Sequence, residues 1–212
     1  MGDKNREHNS RADRADYYHL IPGIPDEEFI RGDIPMTREE IRAVVLSRLR
    51  LGKDHDLCDI GAGTGSVTVE AALKSPAGSI YAVEKRAEGL ELIEENLQKF
   101  DCDNVKLIAG EAPEALNDLP RFDRVFIGGS GGRLPEILDF LEIGLKPEGR
   151  IVLNAITMNT LTSAYQEFRK RGYKTGVIQV SCTRTKSVKE YDMFDSSVPV
   201  FIITARDVGE EM

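Results

Sequence analysis

From Leu57 onward, short apolar runs alternate five times with longer amphipathic stretches, and few folds accept that rhythm. Runs of four to six residues separated by helix-length segments describe βαβ units, whose strands pair in parallel with helices packed against the sheet. The spacing predicts strands at Leu57 to Ile60, Ser79 to Val83, Val105 to Ala109, Arg124 to Ile127 and Arg150 to Ala155. Helices are expected to follow near Ser66, Glu88, Glu114, Arg133 and Met158. Pro76 with Gly78 and Pro147 with Gly149 mark helix stops, as does Gly172 after the basic run Arg169, Lys170, Arg171. The rhythm then breaks. Thr175 to Val180 and Val198 to Ala205 read as two strands joined by a polar connection, so they should pair antiparallel at one edge. The expectation is α/β: a doubly wound, mostly parallel seven-stranded sheet with an antiparallel C-terminal strand.

Ahead of this region, residues 1–19 are polar and charged and read as a loose N-terminal arm, leaving residues 20–212 as a single domain. Pro22, Pro25 and Pro35 forbid regular structure between Leu20 and Pro35, while Ile21, Ile24, Phe29 and Ile34 supply anchors for packing. Thr37 stands at an N-cap position with Glu40 completing a capping box, followed by the helical stripe Ile41, Val44, Val45, Leu46 and Leu49.

The chemistry concentrates where strands end. Asp59-Ile60-Gly61-Ala62-Gly63-Thr64-Gly65 joins the first strand to its helix, and three alternating glycines allow the backbone to turn sharply and approach a ligand closely. Glu84 closes the second strand, where an acid accepts hydrogen bonds from ribose hydroxyls. Together these point to an adenosine-containing ligand. The third glycine falls one residue earlier than in the dinucleotide fingerprint G-x-G-x-x-G, which favours S-adenosylmethionine over a nicotinamide. Five parallel strands followed by an antiparallel pair is also the ground plan of class I S-adenosylmethionine-dependent methyltransferases. Gly110-Glu111-Ala112-Pro113-Glu114 ends the third strand, and an adenine contact is expected there. The fourth strand ends in Gly128-Gly129-Ser130-Gly131-Gly132, with Ser130 suited to cap the next helix.

Other chemistries find little support. The net charge of −8 argues against a protein built to neutralise a phosphate backbone. Cys58, Cys102 and Cys182 lack paired spacing, which indicates neither a disulfide framework nor a metal site. The N-terminus has no signal-peptide stretch and no apolar run approaches membrane-spanning length, so a cytoplasmic location is expected. His8, His19 and His55 form no recognisable triad with a nucleophile.

Ile24-Pro25-Asp26-Glu27-Glu28-Phe29, Met36-Thr37-Arg38-Glu39-Glu40-Ile41-Arg42, DIGAGTG, GEAPEAL and FIGGSGG, in this order and spacing, resemble the precorrin-6B carbon-15 methyltransferase (decarboxylating) family of cobalamin biosynthesis. The resemblance spans residues 20–206. It implies methylation of carbon 15 of a reduced tetrapyrrole with decarboxylation of the ring-C acetate. S-adenosylmethionine would be bound at Thr37, Gly61, Ala62, Gly63, Thr64, Gly65, Glu84, Glu111, Ala112 and Gly128. The Gly128 to Gly132 loop would lie between donor and macrocycle, and a homo-oligomer, a tetramer, is expected. Ser130, Arg133, Arg184 and Lys186 are the candidates for positioning the polycarboxylate substrate. The segment from Ser187 to Ser197 departs from the family pattern in lacking glycines. A tRNA adenine methyltransferase and a nicotinamide-dependent oxidoreductase are the alternatives; no nucleic acid, membrane or metal is expected as a partner.

Overall fold

The computed structural model describes residues 21–207. The expected arm over residues 1–19 lies outside the described residues. Strands β1 (Leu57–Ile60), β2 (Ile80–Glu84), β3 (Val105–Ala109), β4 (Phe122–Ile127), β5 (Leu145–Ala155), β6 (Lys174–Val180) and β9 (Val200–Arg206) make one seven-stranded sheet. Its order is β3-β2-β1-β4-β5-β9-β6. The first five strands are parallel, and β9 runs antiparallel to both neighbours.

Helices cover both faces, as a parallel sheet requires. On one face lie α1 (Glu39–Leu49), α2 (Ser66–Lys74) and α3 (Ala87–Lys99); on the other lie α4 (Leu134–Gly144) and α5 (Met158–Lys170). The alternation of side chains along each strand divides the core accordingly. Phe126, Val152 and Ile202 pack under α1 and α2, whereas Val125, Ile151 and Ile203 meet Ile137, Leu141 and Phe168 of α4 and α5.

Four local expectations need correction. Thr37 does not cap α1. The helix begins at Glu39 with Arg38 at the cap position, and the Glu39 N–H is taken by the Asp26 carboxylate at 2.8 Å, so the cap comes from the proline-rich segment 13 residues upstream. The helix near Glu114 is a single 3-10 turn, Glu114–Leu116. The fourth helix ends at Gly144, and Pro147 and Gly149 lie within β5, where the register shifts between Phe122↔Leu145 and Arg124↔Arg150. The bulge lets proline and glycine occupy a strand without breaking the ladder. The polar connection after β6 is itself folded: β7 (Thr183–Val188) and β8 (Tyr191–Ser196) form an antiparallel hairpin, and β6 is the outer strand of the main sheet.

Arg42 pins the proline-rich segment to this frame. Its side chain is fully buried. Nε meets Glu70 Oε1 at 2.6 Å and Nη1 meets Asp26 Oδ1 at 3.1 Å, and the guanidinium also donates to the carbonyls of Thr37 and Ile24. Glu70 in turn accepts the backbone N–H groups of Gly23 (2.7 Å) and Ile24 (2.9 Å). The segment's path beside the sheet is therefore set by charge-assisted hydrogen bonds, the stronger class of such contacts.

Candidate functional site

Strand order reverses between β1 and β4, and ligands of open α/β sheets bind at the carboxyl ends of strands beside such a point. Backbone bonds extend the ladders past the strand ends and fix the loops there. Gly61 N–H donates to Val83 O (2.9 Å), Gly110 N–H to Glu84 O (3.0 Å) and Gly128 N–H to Ile60 O (2.9 Å). The Gly61 turn and the Gly128–Gly129 turn thus lie side by side. A Cβ on Gly61, whose φ is +73°, would stand 2.7 Å from Gly129 O, too close for any side chain.

Two clefts open at this edge and share Pro35, Gly61, Gly63 and Gly128 as their common wall. The first, about 400 Å³, is lined by Glu84, Lys85, Arg86, Glu111, Ala112 and Ser130 among others. Glu84 is 4% exposed, and its carboxylate accepts three backbone N–H groups, from Gly63 (2.9 Å), Lys85 (3.0 Å) and Arg86 (2.9 Å). A carboxylate offers about four lone-pair positions, so one remains for a ligand hydroxyl. Lys85 is paired with Glu111 at 2.7 Å on the lining of this cleft. The second cleft, about 530 Å³, is walled by Thr37, Arg38, Ala62, Thr64, Phe126 and Asn154, with Ser196 to Val198 at its far side. The Thr64 hydroxyl is buried there without a hydrogen-bond partner.

The sequence-based candidates distribute as follows. Glu84, Glu111, Ala112 and Ser130 line the first cleft, Thr37, Ala62 and Thr64 the second, and Gly61, Gly63 and Gly128 both. Gly65 lines neither; it starts α2 at φ +75° against Ile93. Ser130 caps no helix, since α4 starts at Leu134 with Arg133 at its cap, although the Ser130 carbonyl accepts the Arg133 N–H. Arg133, Arg184 and Lys186 line neither cleft. Arg133 forks onto Glu114 (2.6 and 2.7 Å), holding that carboxyl down to about 2, and also pairs with Glu136. Arg184 makes a bidentate pair with Glu40, 2.7 Å in each arm, and reaches Asp26 at 3.3 Å. The structure gives both arginines carboxylates of the chain's own. Sequence reasoning did not single out Arg38 and Asn154, which line the second cleft.

Asp59 lies at the end of β1, just before the glycine turn, and is fully buried. Oδ2 accepts the Thr68 hydroxyl at 2.6 Å and Oδ1 has no partner. Burial lifts this carboxyl to about 7. Because its pKa is raised in the folded chain, its contribution to stability is complete below about pH 4 and is lost as pH rises through 7. Asp59→Asn removes that titration. Its stability relative to the parent protein should rise between pH 4 and 7, by on the order of a few kcal/mol, and stay level above. Urea denaturation of both proteins across that range measures it; a pH-independent difference would refute the assignment.

Residues 28–206 match the family model described as the precorrin methyltransferase domain. The chain belongs to this family. Among its relatives, the probable cobalt-precorrin-6B C(15)-methyltransferase (decarboxylating) of Sulfurisphaera tokodaii is 47% identical over 187 residues, covering 86% of this chain and 96% of the relative. The cobalt-precorrin-6B C(15)-methyltransferase (decarboxylating) of Salmonella typhimurium is 38% identical, covering 86% and 95%. In structure, the precorrin-6y C5,15-methyltransferase of Geobacter metallireducens superposes with a TM-score of 0.83 at 49% identity, covering 87% of this chain and 98% of the other. Precorrin methyltransferases use S-adenosylmethionine, and the site fits it. The glycine turn admits a ligand against bare backbone, Glu84 keeps an acceptor position, and the buried Thr64 hydroxyl faces the adjoining cleft without a partner of the chain's own.

Proposed function

We propose that this chain methylates carbon 15 of (cobalt-)precorrin-6B and releases the ring-C acetate carboxyl as carbon dioxide, with S-adenosylmethionine as methyl donor. The observation that carries the reading is the pair of clefts sharing one glycine wall: a cleft floored by a hydrogen-bonded acid beside a larger cleft bounded by Thr37, Asn154 and the end of the hairpin. Donor and acceptor can then meet across Gly61, Gly63 and Gly128, where no side chain intervenes.

The donor supplies an electrophilic methyl group on a sulfonium, so the protein's part is proximity and alignment. Glu84 holds ribose hydroxyls, Gly110 to Ala112 flank the adenine, and Gly61 to Thr64 with Thr37 surround the amino-acid end, at the glycine wall between the two clefts. Gly128 to Ser130 separate donor from macrocycle. No general base is required for carbon dioxide loss if the conjugated macrocycle receives the electron pair of the breaking C–C bond, with the second cleft holding that bond in line with the π system. The reading includes the single-domain organisation over residues 20–212 and a cytoplasmic location. It also includes the absence of nucleic acid and membrane partners; no described helix is long and apolar enough to cross a membrane. A homo-oligomer, a tetramer, belongs to the same proposal, supported by Tyr191, Met193 and Phe194, which β8 leaves exposed.

The test is mass spectrometry of cobalt-precorrin-6B after incubation with the protein and methyl-labelled S-adenosylmethionine. The expected product has gained one labelled methyl and lost carbon dioxide. An unchanged macrocycle would defeat the reading.

A further inference from the structure

On one face of the β5–β9 pair, the apolar pattern continues past the point where burial ends. Val152 of β5 and Ile202 of β9 lie in the core under α1 and α2, 0% and 1% exposed. Asn154 is opposite Ile202 in the ladder, so strand alternation carries this face outward through Asn154 and Val200, both half-buried. Just past the strand ends, Ile156 and Val198 follow on the same side, and all four residues line the second cleft. Ile156 and Val198 are each 69% exposed. An aliphatic side chain gains nothing by facing water, and a strand leaving the core has no packing need for one. Single exposed aliphatic residues are ordinary, but two on separate segments that meet on the wall of one cleft form a patch, and such patches mark docking sites.

The cleft itself indicates what docks. Its deeper lining is apolar, with Ile41, Val67 and Phe126. Neither aspartate nor glutamate lines it, although the chain carries a net charge of −8, so a ligand bearing many carboxylates meets no like charge on its walls. At about 530 Å³ the cleft is sized for a drug-like molecule. A tetrapyrrole with its acid side chains is larger, so part of the ring must lie outside the cleft and over its rim.

We infer that Ile156 and Val198 form an apolar ledge that carries one face of the substrate's macrocycle, while the reacting edge of the ring lies in the cleft. The inference rests on the proposed function and extends it from the reacting carbon to the rest of the ring. A tetrapyrrole is apolar on its faces and charged at its periphery, so a ledge under one face leaves the acid side chains in water. Binding of this kind draws no cation from the protein, which agrees with the pairing of Arg133 and Arg184 to carboxylates of the chain's own. The ledge touches the ring away from the bonds that form and break. It therefore holds ground state and transition state alike and governs KM, leaving kcat to the groups around the methyl donor.

Ile156→Ser, Val198→Ser and the double variant test this in four measurements: melting temperature, sedimentation velocity, S-adenosylmethionine affinity by calorimetry, and steady-state turnover of cobalt-precorrin-6B. Because both side chains are exposed, melting temperature and sedimentation should match the parent, with donor affinity within about 2-fold. KM for the tetrapyrrole should rise about 10-fold in each single variant and about 100-fold in the double, with kcat within about 2-fold, as expected for the loss of one aliphatic contact per site. An unchanged KM in the double variant would overturn the ledge, as would a fall in kcat alone. A change in sedimentation would make the patch an interface between copies of this chain, and a lower melting temperature would make it part of the fold's own packing; either result also overturns the ledge. If the parent protein binds S-adenosylmethionine yet leaves the tetrapyrrole unchanged, it is the proposed function that has failed, and the ledge falls with it.

Discussion

Arg42→Met should cost about 3–5 kcal/mol of stability, the range found when one member of a buried ion pair is removed and its partner stays behind. The methionine fills much of the arginine's volume, so the loss isolates charge and hydrogen bonding. Glu70 (1% exposed) would remain as a carboxylate without its cation, Asp26 (6%) would keep only Arg184 at 3.3 Å, and the Ile24 and Thr37 carbonyls would lose a donor. Pairing the change with Glu70→Gln should restore part of the loss, because the uncompensated charge disappears; the two sites share partners and will not add. Urea denaturation reads both effects. A change under 1 kcal/mol for the single variant would mean that apolar packing, chiefly Phe29 against Phe100 with ring centroids 5.1 Å apart, holds the segment without help.

Glu84→Ala should weaken S-adenosylmethionine binding by roughly 100-fold or more, since it removes the proposed ribose acceptor and leaves three backbone donors unpaired at once. The Gly63 N–H belongs to the turn that separates the clefts, so the wall itself loosens. Glu84→Gln should be nearly as damaging. Gly63 bonds one carboxylate oxygen and Lys85 with Arg86 the other, and an amide can offer an oxygen to only one side. Calorimetric titration with the donor decides the matter; affinity within threefold of the parent would remove Glu84 from the site.

The parts of this fold readable in the sequence are those set by local periodicity. Five strands with period-two or continuous apolar character emerge directly, with the helices after all but the third, as do the glycine turn and Glu84, because their spacing along one βαβ unit is fixed by geometry. What escaped depends on groups distant in sequence. Thr37 has the right side chain for a cap, yet Asp26, placed by Arg42, occupies the helix N-terminus first. Arg133 and Arg184 look like free cations until the fold brings Glu114, Glu136 and Glu40 against them. The β7–β8 hairpin has almost no buried residues, so it carries none of the apolar pattern by which strands are recognised. Asn154 is next to last in β5, and its place on the wall of the second cleft follows from the packed sheet and not from the local sequence.

The position of β9 bears on how the chain reaches this state. It inserts between β5 and β6, yet it is made after β6 and after the whole hairpin. During synthesis on the ribosome, β5 and β6 therefore have no contact through the sheet, and each presents an open row of backbone donors and acceptors until residues 200–206 have emerged. Unpaired strand edges are where nascent chains associate wrongly. The hairpin that delays β9 thus lengthens the interval in which two open strand edges are exposed to wrong pairing.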